Sequence, residues 1–265
     1  MPIANRGSFR IHYDLTGRPG QDVLVLINSL GSDLHMWDKV LSLLEAHYRV
    51  LRYDVRGHGL SGASSGPLTI SDLGEDLLFL TNQLGIEPVH LCGISLGGLI
   101  AMWAGIHAAE RVNRIVLANT AARIGTPEAW EQRRNSVLNS GLAPLVETAP
   151  GRWFTQAYQE QHPAEMQLIR EMVARTDAAS YAACCGVLRD TDLRAGIGAI
   201  EAPCLIIAGT YDAATPPSHG RALQAGLRSS RYLQIDCSHL SAWEGSEQFS
   251  QAAHSFLSEG ECGNG

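Results

Sequence analysis

Short apolar runs alternate with segments of helical periodicity along most of the chain. Residues 23–27 read V-L-V-L-I, an uninterrupted run that is typical of a strand buried on both faces of a parallel sheet. Residues 71–84 have apolar positions at 73, 77, 80 and 84, the spacing of an amphipathic helix. Further strand-like runs occupy residues 48–54, 112–118, 204–208 and 231–235, and another short apolar run begins at residue 89. This alternation predicts an α/β fold with a mostly parallel, twisted sheet flanked by helices.

Two regions depart from the alternation. Residues 9–15 read F-R-I-H-Y-D-L, which predicts a half-buried antiparallel strand at the edge of the sheet. Residues 121–199 contain only helix-like segments separated by turn signals. We therefore predict one core, residues 1–120 and 200–265, with a helical cap inserted at residues 121–199. The Gly/Glu/Asn-rich tail is expected to be disordered.

The apolar run that begins at residue 89 ends in G-I-S-L-G at residues 93–97, and a helix-like segment follows. The order of strand, G-x-S-x-G and helix is that of a nucleophile elbow. Small residues must flank the serine because the turn is too sharp to admit a Cβ on either side. Ser95 would then stand alone at the tip of the strand. By itself the pattern also fits an ordinary glycine-rich turn.

Two further strand ends carry the partners that a nucleophilic serine needs. Asp212 follows the run at residues 204–208, and His239 follows the run at residues 231–235. An imidazole must take the serine proton, and a carboxylate must orient that imidazole. Asp212 alone could be a turn residue and His239 a helix cap. The three residues follow three strand-like runs in the chain order Ser95, Asp212, His239, which is the order of the triad in α/β-hydrolases. Together they predict a catalytic triad.

Acyl transfer also requires donors for the oxyanion of the tetrahedral intermediate. We predict the backbone N–H of Leu96, directly after the serine, and the backbone N–H of Leu30 in the N-S-L-G loop at residues 28–31. Both leucines could equally serve in packing. His58 lies in a glycine-rich loop but precedes the serine in the chain, so we expect it to order that loop.

Composition narrows the range of partners. The formal net charge is −7, and no Lys/Arg-rich run is present, which argues against nucleic acid or an anionic membrane surface as a partner. No apolar run approaches the roughly 20 residues needed to span a bilayer. The first residues lack the pattern of a secretion signal, so we expect a cytoplasmic protein.

No cofactor or metal is expected. Residues 93–98 lack the G-x-G-x-x-G spacing of a dinucleotide site, and no phosphate-binding loop of the G-x-x-x-x-G-K-[ST] type occurs. The six cysteines form no C-x-x-C pair, and we interpret them as reduced thiols. The oligomeric state stays open, with a homo-oligomer among the alternatives.

Several blocks of the sequence resemble a known family, the 3-oxoadipate enol-lactonases of aromatic catabolism. The more particular blocks are N-S-L-G at residues 28–31, N-T-A-A-R-I-G at residues 119–125 and Y-A-A-C-C at residues 181–185. The resemblance extends over nearly the whole chain, including the predicted cap. The elbow reads G-I-S-L-G-G where G-L-S-M-G-G is common, a difference that should alter packing without affecting the nucleophile.

The resemblance implies a reaction. Ser95 would open the ring of 3-oxoadipate enol-lactone to an acyl-enzyme, with an enolate as leaving group that tautomerises to a ketone. Water activated by His239 would then release 3-oxoadipate, a step of the β-ketoadipate pathway. We expect no fused carboxymuconolactone decarboxylase domain, because the chain ends soon after its last predicted helix.

This substrate carries a carboxylate, so the cap should supply a cation or another donor. Arg123, Arg133, Arg134 and Arg152 are the candidates. Thr126 and Pro127 look like a helix start, which would place Trp130 and either Arg133 or Arg134 on one helix face. We favour that face for substrate binding, with Trp153 as a further wall. For each arginine a solvated surface position is also open.

The sequence is also compatible with two other functions. One is a different reaction on the same scaffold, by a carboxylesterase, a carbon–carbon bond hydrolase or a cofactor-free perhydrolase. The other is a receptor with a hydrolase fold that binds a small molecule and turns it over slowly or not at all. Intact Ser95, Asp212 and His239 argue against the receptor.

Overall fold

The computed structural model describes residues 2–63 and 66–259, so Cys262 and most of the predicted tail lie outside the described residues. Its centre is an eight-stranded sheet in the order β1-β2-β4-β3-β5-β6-β7-β8. The β1–β2 and β2–β4 pairs are antiparallel, and the other neighbouring pairs are parallel. The strands are β1 (Ile3–Arg6), β2 (Phe9–Thr16), β3 (Val23–Ile27), β4 (Arg49–Tyr53), β5 (Val89–Ile94), β6 (Val112–Ala118), β7 (Cys204–Gly209) and β8 (Ser230–Ile235). The predicted mostly parallel sheet is confirmed.

The predicted edge position of the strand at residues 9–15 is wrong. β2 lies between β1 and β4, and the edge is β1, which the sequence pattern did not indicate. β1 is only four residues long and reads I-A-N-R, with Ala4 as its buried residue. It is held by pairing to β2 through a tight turn in which Gly7 has a φ of +63°. A strand this short and polar depends on its partner rather than on its own pattern.

Both faces of the sheet are covered, which explains the unbroken apolar run of β3. Val23, Val25 and Ile27 pack into a core on one face, and Leu24 and Leu26 pack into a second core on the other. Successive side chains of a strand point to opposite faces, so a strand buried on both sides has no polar position.

Helices supply these two covering layers. They are α1 (Asp38–Glu45), α2 (Ile70–Leu84), α3 (Leu96–His107), α4 (Pro127–Ser140), α5 (Ala143–Trp153), α6 (Gln156–Gln161), α7 (Pro163–Ala174), α8 (Ala178–Asp190), α9 (Pro217–Gly226), α10 (Ser241–Glu244) and α11 (Ser246–Leu257). Short 3₁₀ turns occupy Leu34–Trp37, Ala109–Arg111 and Ile197–Ala199. Helices α4 to α8 follow one another between β6 and β7, where α4 packs against α8 and α5 against α7.

The packing of α2 on α3 leaves no room for a methyl group at Gly74. A Cβ there would lie 1.9 Å from the ring of Trp103, which is buried and donates its indole N–H to Ser71. We expect Gly74→Ala to lower the free energy of unfolding by about 2 kcal/mol or more, because the indole must move. Urea denaturation measures the effect.

The matched control is Gly186→Ala in the middle of α8, where no atom lies within 4 Å of the added Cβ. This change should stabilise the protein slightly, by up to about 1 kcal/mol, since alanine favours a helix over glycine. Equal effects of the two substitutions would contradict the steric account.

Candidate active site

Ser95 stands at a backbone turn that only its glycine neighbours permit. It follows β5 directly and has φ +57° and ψ −115°, a strained conformation for a residue with a side chain. A Cβ on Gly93 would lie 2.2 Å from the Gly97 carbonyl oxygen, and a Cβ on Gly97 would lie 2.1 Å from the Ile27 carbonyl oxygen. Both glycines of the G-x-S-x-G pattern are therefore sterically required.

His239 and Asp212 form a buried hydrogen-bonded pair. The distance from His239 Nδ1 to Asp212 Oδ2 is 2.8 Å, and the two residues are 3% and 2% exposed. Asp212 also accepts hydrogen bonds from the backbone N–H groups of Ala214 and Thr215, from the Thr215 hydroxyl and from the Asn119 amide. Burial alone would raise the pKa of Asp212, but the charge of His239 and these hydrogen bonds hold it well below its ordinary value.

Two residues at the end of β6 brace this arrangement. Asn119 has a φ of +44° and donates its amide to Asp212 Oδ2 at 3.0 Å and to the Ser238 carbonyl at 3.1 Å. Thr120 donates its hydroxyl to the Ser95 carbonyl at 2.8 Å. We did not predict either role from the sequence. Their position just after a parallel strand, where functional groups gather, was the available signal.

The two predicted oxyanion donors lie beside Ser95. Leu96 is the first residue of α3, and Leu30 lies in the loop after β3. Within residues 2–63 and 66–259, neither backbone N–H has a protein acceptor. The next N–H, that of Gly31, donates to His58 Nε2 at 2.9 Å.

Ser95 and His239 open into a cavity of about 210 Å³. Ser29 and Leu30, from the loop after β3, also line it. Loop residues Ile124, Gly125 and Ala214 contribute to the lining. Helices α4, α5 and α8 contribute Ala129, Trp130, Arg133, Arg152, Trp153 and Tyr181. The predicted residues Trp130, Arg133 and Trp153 are thus brought together with Ser95, and Tyr181 was not foreseen.

Two arginines face this cavity without a carboxylate partner among the described residues. The Arg133 guanidinium stacks over the Trp130 ring, with Cζ 4.9 Å from the ring centroid. The Nε of Arg152 is buried and makes no hydrogen bond. Burial and the neighbouring charge of Arg133 lower the pKa of Arg152. A bound anion would relieve the repulsion between the two guanidinium groups.

Arg134 and Arg123 lie elsewhere. Arg134 is paired with Glu131 at 3.0 Å and lines a separate cavity between α4 and α8. Arg123 is paired with Asp192 at 3.1 Å. The structure therefore does not bring Arg134 to the Ser95 cavity. Consecutive residues of a helix point about 100° apart, so Arg133 and Arg134 cannot share the same face.

The described part of the chain contains no group of three or more His, Cys, Asp or Glu side chains that could hold a metal ion. None of its helices is long and apolar enough to cross a membrane. Its five cysteines, at positions 92, 184, 185, 204 and 237, are unpaired and buried.

Known proteins resemble this chain over nearly its full length. A family model described as "alpha/beta hydrolase fold" matches residues 22–246. 3-Oxoadipate enol-lactonase 1 of Acinetobacter baylyi is 38% identical over 96% of this chain and 96% of its own length. 3-Oxoadipate enol-lactonase 2 of the same organism is 36% identical over 93% of this chain and 92% of its own. The crystal structure of the enol-lactonase from Burkholderia xenovorans LB400 superposes with a TM-score of 0.95 at 39% identity, covering 97% and 100% of the two chains.

The fold and the family match make this chain an α/β-hydrolase. Within that class it belongs to the 3-oxoadipate enol-lactonase family, and the resemblance noted in the sequence is confirmed.

The low pKa of Asp212 predicts a specific pH dependence of stability. A carboxyl group whose pKa is lower in the folded than in the unfolded state stabilises the fold above its unfolded value of about 3.9. That stabilisation is lost as the pH falls towards the folded pKa. We expect Asp212→Asn to lower the free energy of unfolding by about 2 kcal/mol or more at pH 7. The loss should become progressively smaller below about pH 4.

Urea denaturation of the wild type and of Asp212→Asn across this pH range measures the difference directly. Far-UV circular dichroism at each pH verifies that both proteins are folded. A difference that stays constant or grows on acidification would contradict the stated electrostatics.

Proposed function

We propose that the protein hydrolyses 3-oxoadipate enol-lactone to 3-oxoadipate through an acyl-enzyme on Ser95. The observation that carries the proposal is the cavity itself. It joins Ser95 and the Asp212–His239 pair to two arginines, Arg133 and Arg152, that lack carboxylate partners in the described residues. The relatives named as enol-lactonases support the same substrate.

In the first half-reaction Ser95 Oγ attacks the lactone carbonyl while His239 Nε2 accepts the hydroxyl proton. Asp212 fixes the proton of His239 on Nδ1, so that Nε2 carries the lone pair. The negative charge that develops on the carbonyl oxygen is stabilised by the Leu30 and Leu96 N–H groups. Collapse of the intermediate breaks the ring C–O bond and leaves an acyl-enzyme.

The leaving oxygen is an enolate, which departs more readily than an alkoxide. It stays tethered to the acyl group, takes the proton that His239 Nε2 received from Ser95, and tautomerises to the ketone of the product, which leaves His239 neutral for the second half-reaction. Water then attacks the acyl carbonyl with its proton passing to His239 Nε2. The second collapse breaks the bond to Ser95 Oγ, returns the proton to serine and releases 3-oxoadipate.

The substrate carboxylate needs a partner in this cavity, and we assign it to Arg133 with support from Arg152. Arg133 is already oriented by its stack on Trp130. A guanidinium binds a carboxylate through two parallel hydrogen bonds, which fixes both position and orientation. Trp130 and Trp153 supply apolar walls for the ring. Binding the carboxylate would place the lactone carbonyl at Ser95.

The alternatives fit this cavity less well. A carboxylesterase of neutral substrates would have to keep two half-buried, neighbouring guanidinium groups without an anion to offset their repulsion. A receptor would not need the hydrogen-bonded Asp212–His239 pair beside the serine. We also propose a cytoplasmic location, which suits a chain whose five described cysteines are free thiols.

Ser95→Ala should abolish turnover. Loss of the nucleophile is expected to lower kcat by about 10⁴-fold or more, as in other triad enzymes. The absorbance of the enol-lactone follows ring opening directly. Ser250→Ala, at a buried serine of α11 outside the cavity, is the control and should retain the full rate. A full rate in Ser95→Ala would refute both the triad and the mechanism.

Arg133→Leu should raise KM for the enol-lactone about tenfold or more, because a charge-assisted hydrogen bond to the carboxylate is lost. Arg134→Leu is the matched control on the adjacent residue and should leave KM unchanged. Steady-state kinetics on both variants, with p-nitrophenyl acetate as a neutral second substrate, measure the effect. The assignment fails if the two variants behave alike or if Arg133→Leu loses activity equally on the neutral ester.

A further inference from the structure

We propose that His58 is a positioning residue, which holds the loop after β3 so that the Leu30 N–H faces the oxyanion. This inference rests on the proposed acyl transfer at Ser95, because an oxyanion donor has a role only in such a reaction. His58 itself does not line the Ser95 cavity. It acts through the backbone of Gly31.

Two hydrogen bonds define the protonation of the His58 ring. Nε2 lies 2.9 Å from the Gly31 backbone nitrogen, and Nδ1 lies 2.8 Å from the Arg56 carbonyl oxygen. A backbone N–H can only donate, and a carbonyl oxygen can only accept. The ring must therefore carry its proton on Nδ1 and keep a lone pair on Nε2. Only this neutral tautomer satisfies both neighbours.

Hydrogen bonds hold the peptide units on both sides of Leu30, and the unit that follows it is held by His58. The unit before it, which carries the Leu30 N–H, is held through the Ser29 carbonyl, which accepts from the Ser32 N–H at 3.2 Å and from the Ser32 hydroxyl at 2.8 Å. Gly31 has a φ of +81°, and a Cβ added to it would lie only 3.1 Å from the Tyr181 ring. The Gly31 N–H belongs to the planar peptide unit that follows Leu30, so its bond to His58 completes the restraint of the backbone at Leu30. The preceding N–H, that of Ser29, meets only the weak acceptor Met36 Sδ at 3.3 Å.

The support behind His58 is rigid. Asp54 accepts hydrogen bonds from the N–H groups of Leu34 at 2.8 Å and Leu60 at 2.9 Å, and so ties the loop after β3 to the loop that carries His58. His12 Nδ1 binds the same carboxylate at 2.6 Å. The Asp177 N–H, at the start of α8, donates to the Gly57 carbonyl at 2.8 Å. The loop that carries His58 is thus bonded to the segment after β3 and to the start of α8.

The surroundings also keep the ring neutral. Burial lowers the pKa of His58, while the hydrogen bond to the Arg56 carbonyl and the charges of Asp54 and Asp33 act in the opposite direction with less effect. A protonated ring would turn Nε2 into a donor and place it against the Gly31 N–H. The positioning contact therefore requires the uncharged form.

Substitution of His58 by glutamine or by asparagine distinguishes the contact made by Nε2 from the contact made by Nδ1. In His58→Gln the side-chain oxygen reaches the place of Nε2 and can still accept from Gly31. In His58→Asn the shorter side chain reaches only the place of Nδ1, so the Gly31 contact is lost. Displacing an oxyanion donor weakens transition-state binding and leaves ground-state binding intact, so the effect should fall on kcat.

The kinetic experiment compares both variants on the enol-lactone, with thermal unfolding as a check of the fold. We expect His58→Asn to lower kcat about tenfold or more with KM within about twofold of the wild type. His58→Gln should recover most of that loss. The proposal is overturned if His58→Asn keeps its kcat, if the loss falls on KM, or if both amides are equally impaired.

A second measurement needs neither a variant nor a substrate. Long-range ¹H–¹⁵N correlation spectra of the wild-type protein, labelled at histidine, report the tautomer of each ring. His58 should show a protonated Nδ1 and an unprotonated Nε2 at neutral pH. An Nε2–H tautomer or an imidazolium would refute the positioning contact. Failure of the wild type to open the lactone would refute the proposed function instead, and the two outcomes are distinguishable.

Discussion

The close approach of Gly97 to the end of β3 is the contact on which the site depends. The Ile27 carbonyl oxygen lies where a Cβ of residue 97 would be, so the first turn of α3 sits directly on the chain that leaves β3. Leu96 begins that turn, and Leu30 lies in the loop after β3 and lines the same cavity as Ser95. A larger residue at position 97 would separate the two N–H donors and open the elbow. A packing constraint between backbones thus sets the geometry of the chemistry.

Two sets of arginines differ in their partners. Arg6, Arg52 and Arg56 are each bound to acidic side chains and serve the fold. Arg133 and Arg152 face the Ser95 cavity and have no such partner among the described residues. Two half-buried guanidinium groups that lie close together repel each other, which costs free energy unless a ligand offsets it. That cost, set beside a strained serine and a hydrogen-bonded Asp–His pair, is the physical argument for an anionic substrate.

Much of this arrangement could be predicted from the sequence because it follows from local patterns. The V-L-V-L-I run predicted a doubly covered strand, and G-I-S-L-G predicted the elbow. Asn119 and Thr120 could not be assigned, since their roles depend on how β6 sits against β7 and β5. Arg133 could not be separated from Arg134, because one residue on a helix changes the face completely and the pattern did not define that face. Arg152 was a candidate without a distinguishing signal until the cavity placed it beside Arg133.

The central claim is that the cavity binds an anionic lactone and opens it at Ser95. The most direct test is kcat/KM for 3-oxoadipate enol-lactone against kcat/KM for its methyl ester, in which the free carboxylate is masked and the ring is unchanged. We predict that the free acid is preferred about tenfold or more, the worth of a charge-assisted contact with Arg133. Equal or faster turnover of the methyl ester would contradict the account.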